Sequence, residues 1–213
     1  MAVGRRPNLD RLGLENLGIE LDKGVPAFNK GTLQLEKAEH IFIAGDITGE
    51  RAILHEASDE GLMAGYNSVH TPHCFCRKPN FGITFTDPNI ASVGKSYTQL
   101  SEESVDFVEG RVSFEGQGRS IVKVKEKGLL KVYASRQSGE FLGAEMFAPD
   151  GEHLAHLLVW ALSMKLTVQE MLKMPFYHPV IEEGLRTALR DVRSKVEGAE
   201  TTDLMRCDDP PIR

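Results

Sequence analysis

Cysteine is scarce in this chain. Cys74, Cys76 and Cys207 are spread unevenly over 213 residues, too few and too irregular for a disulfide framework, so a reducing, cytoplasmic setting is expected. Basic charge is also short. Against 31 aspartates and glutamates stand 25 lysines and arginines, a net charge of −6, which argues against nucleic acid or an anionic membrane as partner. No apolar run is long enough to span a bilayer, and the opening Met1-Ala2-Val3-Gly4 has no signal-peptide pattern. A phosphate-cradling loop is missing as well. Gly116-Gln117-Gly118 follows no parallel strand and opens no obvious helix, so as a phosphate site it is very weak.

What is present has the apolar and charged fractions of a soluble globular protein, in a length suited to one large domain or two small ones. Residues 1–40 are turn-rich, with a short helix expected between Leu9 and Leu17 and a strand at Ile19-Glu20-Leu21 before the Asp22-Lys23-Gly24 turn. His40-Ile41-Phe42-Ile43-Ala44 reads as a buried strand of a sheet covered on both faces, ending at Gly45-Asp46. Ligands of open α/β sheets bind at such strand ends. Gly45 would allow close approach to the backbone, and Asp46 could accept hydrogen bonds from sugar-like hydroxyls; a capping or turn Asp is the plainer reading.

Residues 51–68 read as a helix with a small-residue face of Ala57, Gly61, Ala64 and Gly65. The segment 71–80 reads as a linker, with two prolines and mixed polarity. His70, His73, Cys74 and Cys76 crowd into this region, but their spacing fits no common zinc pattern, and no metal site is assigned.

From residue 81 the pattern alternates. Strands are expected at 82–86, 90–93, 105–114, 120–125, 129–134 and 140–147, forming an antiparallel meander with one solvated face. A helix follows at about 152–165, with Leu154, Leu157, Leu158, Ala161 and Leu162 on one face and His153 and His156 at the surface. Thr167-Val168-Gln169-Glu170 is a capping box for a short second helix. The fold class is therefore α+β: an antiparallel meander with helices packed on it, preceded by a partial α/β segment.

The chain is organised around Phe176-Tyr177-His178-Pro179-Val180-Ile181-Glu182-Glu183. Pro179 suits the first position of a third helix, expected to run to about Val196 with Ile181, Leu185, Ala188, Leu189 and Val192 inward. His178 then stands at the helix mouth, and Glu183, about one turn in, can fold back towards its ring. A carboxylate on one imidazole nitrogen fixes the tautomer and aims the other nitrogen outward, the layout of a general acid/base. The alternative is an ordinary helix start whose His and Glu face water.

Five stretches together resemble one family. Gly4-Arg5-Arg6-Pro7-Asn8, Ile43-Ala44-Gly45-Asp46, Leu54-His55-Glu56-Ala57 with Glu60-Gly61, Phe85-Thr86-Asp87-Pro88 with Ala91-Ser92-Val93-Gly94, and His178-Pro179 with Glu183 occur in the order and at the separations of the C-terminal part of the flavin-dependent pyridine nucleotide-disulfide oxidoreductases. Within these the chain is most similar to the dihydrolipoamide dehydrogenases, and the likeness covers it to about residue 195. The resemblance implies that residues 1–70 are the last segment of an FAD domain and that 81–195 are the interface domain of a homodimer; the polar tail, 196–213, is expected to be disordered. It implies that Asp46 binds the ribityl chain, that the backbone of Ala52, Ile53 and Leu54 lies near the flavin ring, and that His55 is close by. It further implies that His178 exchanges a proton with a dithiol substrate in the partner's active site while Glu183 holds its ring.

In the parent enzyme the cofactors would be FAD and NAD, and a 2-oxo acid dehydrogenase complex is the implied larger assembly. The family's Gly-rich dinucleotide turn, redox-active cysteine pair and NAD domain have no counterpart in this sequence, and Cys74-Phe75-Cys76 has the wrong spacing for that pair. The expectation is accordingly a C-terminal fragment that binds FAD weakly or not at all and is inactive alone. Tyr177 replaces part of the usual approach to the His-Pro pair, Val180 the usual Thr or Ser, and Ala52-Ile53-Leu54 a stretch that usually starts with Met. Glutathione reductase-like, mercuric reductase-like and transhydrogenase-like parents, or a free-standing dimerisation module, are the alternatives.

Overall fold

A computed structural model of the chain describes residue 4, residues 7–210 and residue 212; Arg5 and Arg6 of the first matched stretch, and Pro211 of the tail, lie outside the described residues. The chain divides into two units, Met1–Arg77 and Lys78–Arg213. The division falls inside the stretch expected as a linker.

In the first unit, β1 (Leu21–Asp22) and β2 (Val25–Pro26) pair about a tight turn, and β3 (Gln34–Leu35) pairs antiparallel with β4 (Ala38–Phe42). The short helix expected near residue 9 is a single 3-10 turn, Leu14–Leu17, stopped on both sides by left-handed glycines. The strand expected to be buried on both faces is not so covered. Glu39 and His40 are exposed, and Ile41 and Phe42 are half-buried. One short antiparallel neighbour leaves β4 thinly covered, so Ala38 and Ile43 are buried in the small core with Ile19 and Leu35, Ile41 packs on it half-buried, and Glu39 and His40 stay outside.

Helix α1 (Leu54–Val69) turns an unusual face inward. Its buried residues are Glu56, Glu60 and Asn67, whereas Leu54, Leu62 and Val69 face out. Buried carboxylates are tolerated because they are paired: Glu56 with Arg51 at 2.6 Å and Glu60 with Arg77 at 2.6 Å. The Asn67 amide donates to the carbonyls of Thr32 and His73 and accepts the His73 N–H. Residues up to Arg77 thus form a strap bound to this unit, where composition suggested a loose connection. The small-residue face is only partly used: Ala57 abuts Gly45, but among the described residues a Cβ at Gly61 or Gly65 would meet nothing within 4 Å.

The second unit is a five-stranded antiparallel sheet with strand order β5-β6-β9-β8-β7, where β5 is Phe81–Thr84, β6 Asn89–Gly94, β7 Phe107–Ser113, β8 Leu129–Ser135 and β9 Phe141–Ala148. The last three strands form the meander, and the β5–β6 hairpin docks on β9. Helix α2 (Tyr97–Glu102), capped by Ser96 and Gln99, carries the chain from the hairpin to β7. Alternate residues Val108, Leu130, Val132, Ala134, Ala144 and Met146 point to the helices and are buried. On the other face Lys131 lies opposite Glu145, and the Tyr133 hydroxyl donates to Glu145 at 2.8 Å.

The strand expected over 120–125 is a helix, α3 (Gly118–Lys123). The Gln117 side chain accepts the Ser120 N–H at 2.7 Å and starts the turn, and Val124 ends it in a left-handed conformation, φ 55°. A helix end rather than a pleat therefore produces the Lys-Val-Lys alternation. The Gly116-Gln117-Gly118 loop does open a helix, with its glutamine engaged inside the protein.

Helix α4 (Gly151–Ser163) buries Leu154, Ala155, Leu158 and Val159 against the sheet. Helix α5 (Val168–Leu172) is held by the expected Thr167/Glu170 capping box. Helix α6 (Glu182–Arg193) packs on β7 and β8, with Leu185, Ala188, Leu189 and Val192 inside. The tail expected to be disordered carries specific contacts: Asp203 receives Arg186, Arg190 and Arg193 from α6, and Lys173 meets Asp209 at 2.6 Å.

Candidate acid–base site

The site sits where the chain enters α6. The helix begins at Glu182, three residues later than Pro179, so the proline is not its first residue. The entry is shaped by other groups. The Gln117 amide donates to the Val180 carbonyl at 2.8 Å, and the Val180 N–H donates to Glu183 Oε2 at 3.2 Å. Ile181 supplies no side-chain cap, and the Glu183 carboxylate does that work by folding back. A carboxylate in a helix's first turn also complements the positive end of the helix dipole.

The same carboxylate holds the imidazole. His178 Nδ1 lies 3.0 Å from Glu183 Oε1 and 3.1 Å from Oε2. The His178 side chain is 80 % exposed, while that of Glu183 is only 30 % exposed. The acid is therefore anchored and the ring projects. The hydrogen bond from His178, helped by the Val180 N–H, holds the Glu183 carboxyl below its ordinary value of 4.5. Exposed ion pairs contribute about 0–1 kcal/mol to stability, so this geometry is not explained by folding energy. What it provides chemically is a fixed ring with Nδ1 engaged and Nε2 directed outward.

Beside it runs an apolar groove of about 560 Å³, with Leu157 and Trp160 of α4, Met174, Phe176, Tyr177 and Leu185 among its walls. Trp160 is 67 % exposed and Tyr177 80 %. Large exposed aromatic and aliphatic side chains gathered in one concavity mark a surface made to be covered.

The flavin-site residues expected from sequence lie together in the first unit. Asp46 is the exposed residue of the 3-10 turn Gly45–Thr48, whose Gly45 and Thr48 are buried and which packs against α1. Ala52, Ile53, Leu54 and His55 form the exposed approach to that helix, and Ile53 at its N-cap makes no side-chain cap hydrogen bond. A carboxylate acceptor, an apolar edge and the positive end of a helix dipole suit a polyhydroxyl chain, a ring face and an electron-rich ring carbonyl respectively. Residues of this kind fit FAD.

Sequence reasoning did not foresee three contacts beside the candidate sites: Gln117, which fixes the approach to α6, and Glu60, buried against the Gly45 N–H and paired with the half-buried Arg77. The cysteine- and histidine-rich stretch does not gather. His70 stacks on Tyr66, Cys74 and Cys76 are free and exposed, and among the described residues no group of three or more His, Cys, Asp or Glu is placed to hold a metal.

The antiparallel sheet backed by helices has the fold of the disulfide reductase dimerisation domain. The chain belongs to the pyridine nucleotide-disulphide oxidoreductase dimerisation domain family, whose profile matches residues 81–189. It is similar to dihydrolipoyl dehydrogenase of Rhizobium etli, 32% identical over 93% of this chain and 41% of that protein. It is also similar to the mitochondrial dihydrolipoyl dehydrogenase of Rattus norvegicus, 33% identical over 88% of this chain and 37% of that protein. Among solved structures, LpdA of Mycobacterium tuberculosis superposes with a TM-score of 0.77 at 25% identity, over 89% of this chain and 41% of that one. The flavoprotein disulfide reductase RclA of Escherichia coli shares the fold, with a TM-score of 0.78 at 22% identity over 88% of this chain and 43% of that one. The chain thus spans about 40% of the length of these relatives. No helix among the described residues is long and apolar enough to cross a membrane.

Proposed function

We propose that this chain supplies the dimer interface and the acid–base dyad of a dihydrolipoyl dehydrogenase-like flavoenzyme, which oxidises a dithiol to a disulfide and passes the electrons through FAD to NAD. The observation that carries this reading is the double contact of His178 Nδ1 with the Glu183 carboxylate. In the neutral ring Nδ1–H donates to Glu183, so Nε2 is left as the acceptor. A substrate thiol, with an ordinary pKa near 8.5, is mostly protonated at neutral pH and is a poor nucleophile. Transfer of its proton to Nε2 yields a thiolate and an imidazolium, and Glu183 stabilises the positive ring. The thiolate attacks one sulfur of the disulfide that the parent's redox centre would supply, that S–S bond breaks, and the imidazolium gives its proton to the departing thiolate; the substrate's second thiol, deprotonated in turn, displaces the mixed disulfide and closes the product disulfide. FAD, when bound, supplies the electron acceptor for the dithiol, and Asp46 with the 52–55 segment would hold it.

The groove of Trp160 and Tyr177 seats a second copy of the chain, which brings His178 to the partner's redox centre. Free, exposed cysteines accord with a reducing cytoplasmic compartment. A parent within a 2-oxo acid dehydrogenase complex follows from the likeness to dihydrolipoyl dehydrogenases. The 213-residue chain contains no redox cysteine pair of the family's kind, so it is expected to show no NAD-dependent oxidation of dihydrolipoamide by itself and to retain no stoichiometric flavin on purification. Clear turnover or a yellow, flavin-loaded preparation would overturn the reading.

A further inference from the structure

The buried carboxylate of Glu60 is a group the proposed mechanism does not use. Its side chain is 2 % exposed, in the middle of α1. One oxygen, Oε2, accepts the Gly45 N–H at 2.6 Å, and the other meets Arg77 Nη2 at 2.6 Å. Arg77 also approaches Glu56 at 3.8 Å. Burying an ion pair costs desolvation on both sides, and a well-packed apolar pair of the same volume would often serve stability as well or better. The arrangement needs a reason beyond stability, and its contacts suggest one.

Gly45 opens the turn that carries Asp46. It has φ +81°, a region glycine enters freely and leaves freely. Without a fixed partner for its N–H, the turn would sample several conformations and carry Asp46 with it. Glu60 supplies that partner from a rigid helix, Arg77 fixes Glu60, and Thr48 Oγ1 bonds the Gly45 carbonyl at 2.9 Å from the other side. We propose that Glu60, braced by Arg77, is a positioning residue that locks the Gly45–Asp46 turn in the form that presents Asp46 to the hydroxyl chain of the cofactor. This inference rests on the reading of Asp46 as a cofactor-binding residue. It gives the strap ending at Arg77 a task, since losing the arginine would loosen the turn from a distance.

The test is amide exchange at Gly45, followed by NMR on the 213-residue chain and on Glu60→Ala, Glu60→Gln and Arg77→Met. Loss of the hydrogen bond in Glu60→Ala is expected to speed Gly45 exchange by about tenfold or more. Glu60→Gln, which keeps an acceptor oxygen, recovers most of the protection, and Arg77→Met falls between. Should Glu60→Ala fail to fold, Arg77→Met carries the test. Unchanged Gly45 exchange in every variant that folds overturns the proposal. A second arm titrates FAD to millimolar concentration and follows the Gly45 and Asp46 amide signals. The wild-type chain is expected to shift there, and Arg77→Met to shift less. An undiminished shift in Arg77→Met despite fast Gly45 exchange overturns the positioning role alone. Silence at Asp46 in the wild-type chain, with Gly45 still responding to Glu60, overturns the reading of Asp46 and leaves the lock standing.

Discussion

At the scale of single residues, Glu183 does two jobs that are usually divided. It caps the N-terminus of α6 through the Val180 N–H, and it fixes the His178 ring. On the proposed reading, in a dihydrolipoyl dehydrogenase-like enzyme carrying this domain, His178→Gln removes the proton acceptor and is expected to lower dithiol turnover by about 10²–10⁴-fold. Glu183→Gln keeps the cap in part and should cost less, about tenfold, with both variants still dimeric. The carboxyl's pKa is depressed in the fold, so its stabilising contribution is present above 4.5 and is lost as pH falls through the lower folded value. Glu183→Gln should therefore flatten the acid limb of the stability curve, measured by thermal melting against pH. The His178–Glu183 contact could be anticipated because both partners lie within one helix entry; spacing left open a helix start whose His and Glu face water, and the family resemblance favoured the contact the structure has. Glu60 was not, since a glutamate among alanines and glycines on an amphipathic helix reads as solvated. It is inside because the Gly45 N–H and Arg77, both distant in sequence, meet its two oxygens.

At the scale of elements, α6 is pinned where it crosses β7. A Cβ on Gly110 would overlap the Ala188 carbonyl oxygen and the Val192 backbone nitrogen, neither of which can move without shifting the helix. Gly110→Ala is expected to cost about 2 kcal/mol or more and, by displacing α6, to disturb the His–Glu contact; denaturant unfolding with His178 NMR signals reads both. Helices α4 and α6 and most strands of the second unit follow from periodicity, because burial on one face imposes it. The element misread as a strand, α3, depends on a glutamine cap and a left-handed valine, neither of which a two-residue alternation reveals. The tail belongs to the same lesson. Its polar composition gives no hint that Asp203 meets three arginines spaced along one face of α6. Burial alone would raise the Asp203 carboxyl, but the Arg190 and Arg193 hydrogen bonds outweigh it and hold it below its ordinary 3.8. The clamp's contribution therefore persists above 3.8 and fades as pH falls through the lower folded value. Asp203→Asn should cost about 1–2 kcal/mol at neutral pH and make the tail a fast site for limited proteolysis.

At the scale of the whole molecule, the groove and the dyad make one surface in the second unit, on which a second copy is proposed to sit. Trp160→Glu places a charge in the middle of it and is expected to convert a dimer to a monomer with the same circular dichroism spectrum, read by sedimentation velocity. A variant that stays dimeric would move the interface elsewhere. Fold class could be read from sequence, because five short motifs in register constrain the architecture more than any one does alone; the order of elements could be read only in part, since α2 was not foreseen and α3 was expected as a strand. The covering of β4 could not, because the number of strands beside a strand is not written in its own residues. The most direct measurement of the central claim is the tautomer of neutral His178, by long-range imidazole nitrogen–proton NMR on the chain and on Glu183→Gln. A proton resident on Nδ1 in the wild-type chain, with the preference lost in Glu183→Gln, is the expected result. A proton on Nε2, or a ring indifferent to Glu183, would contradict a dyad built to take a proton from a thiol.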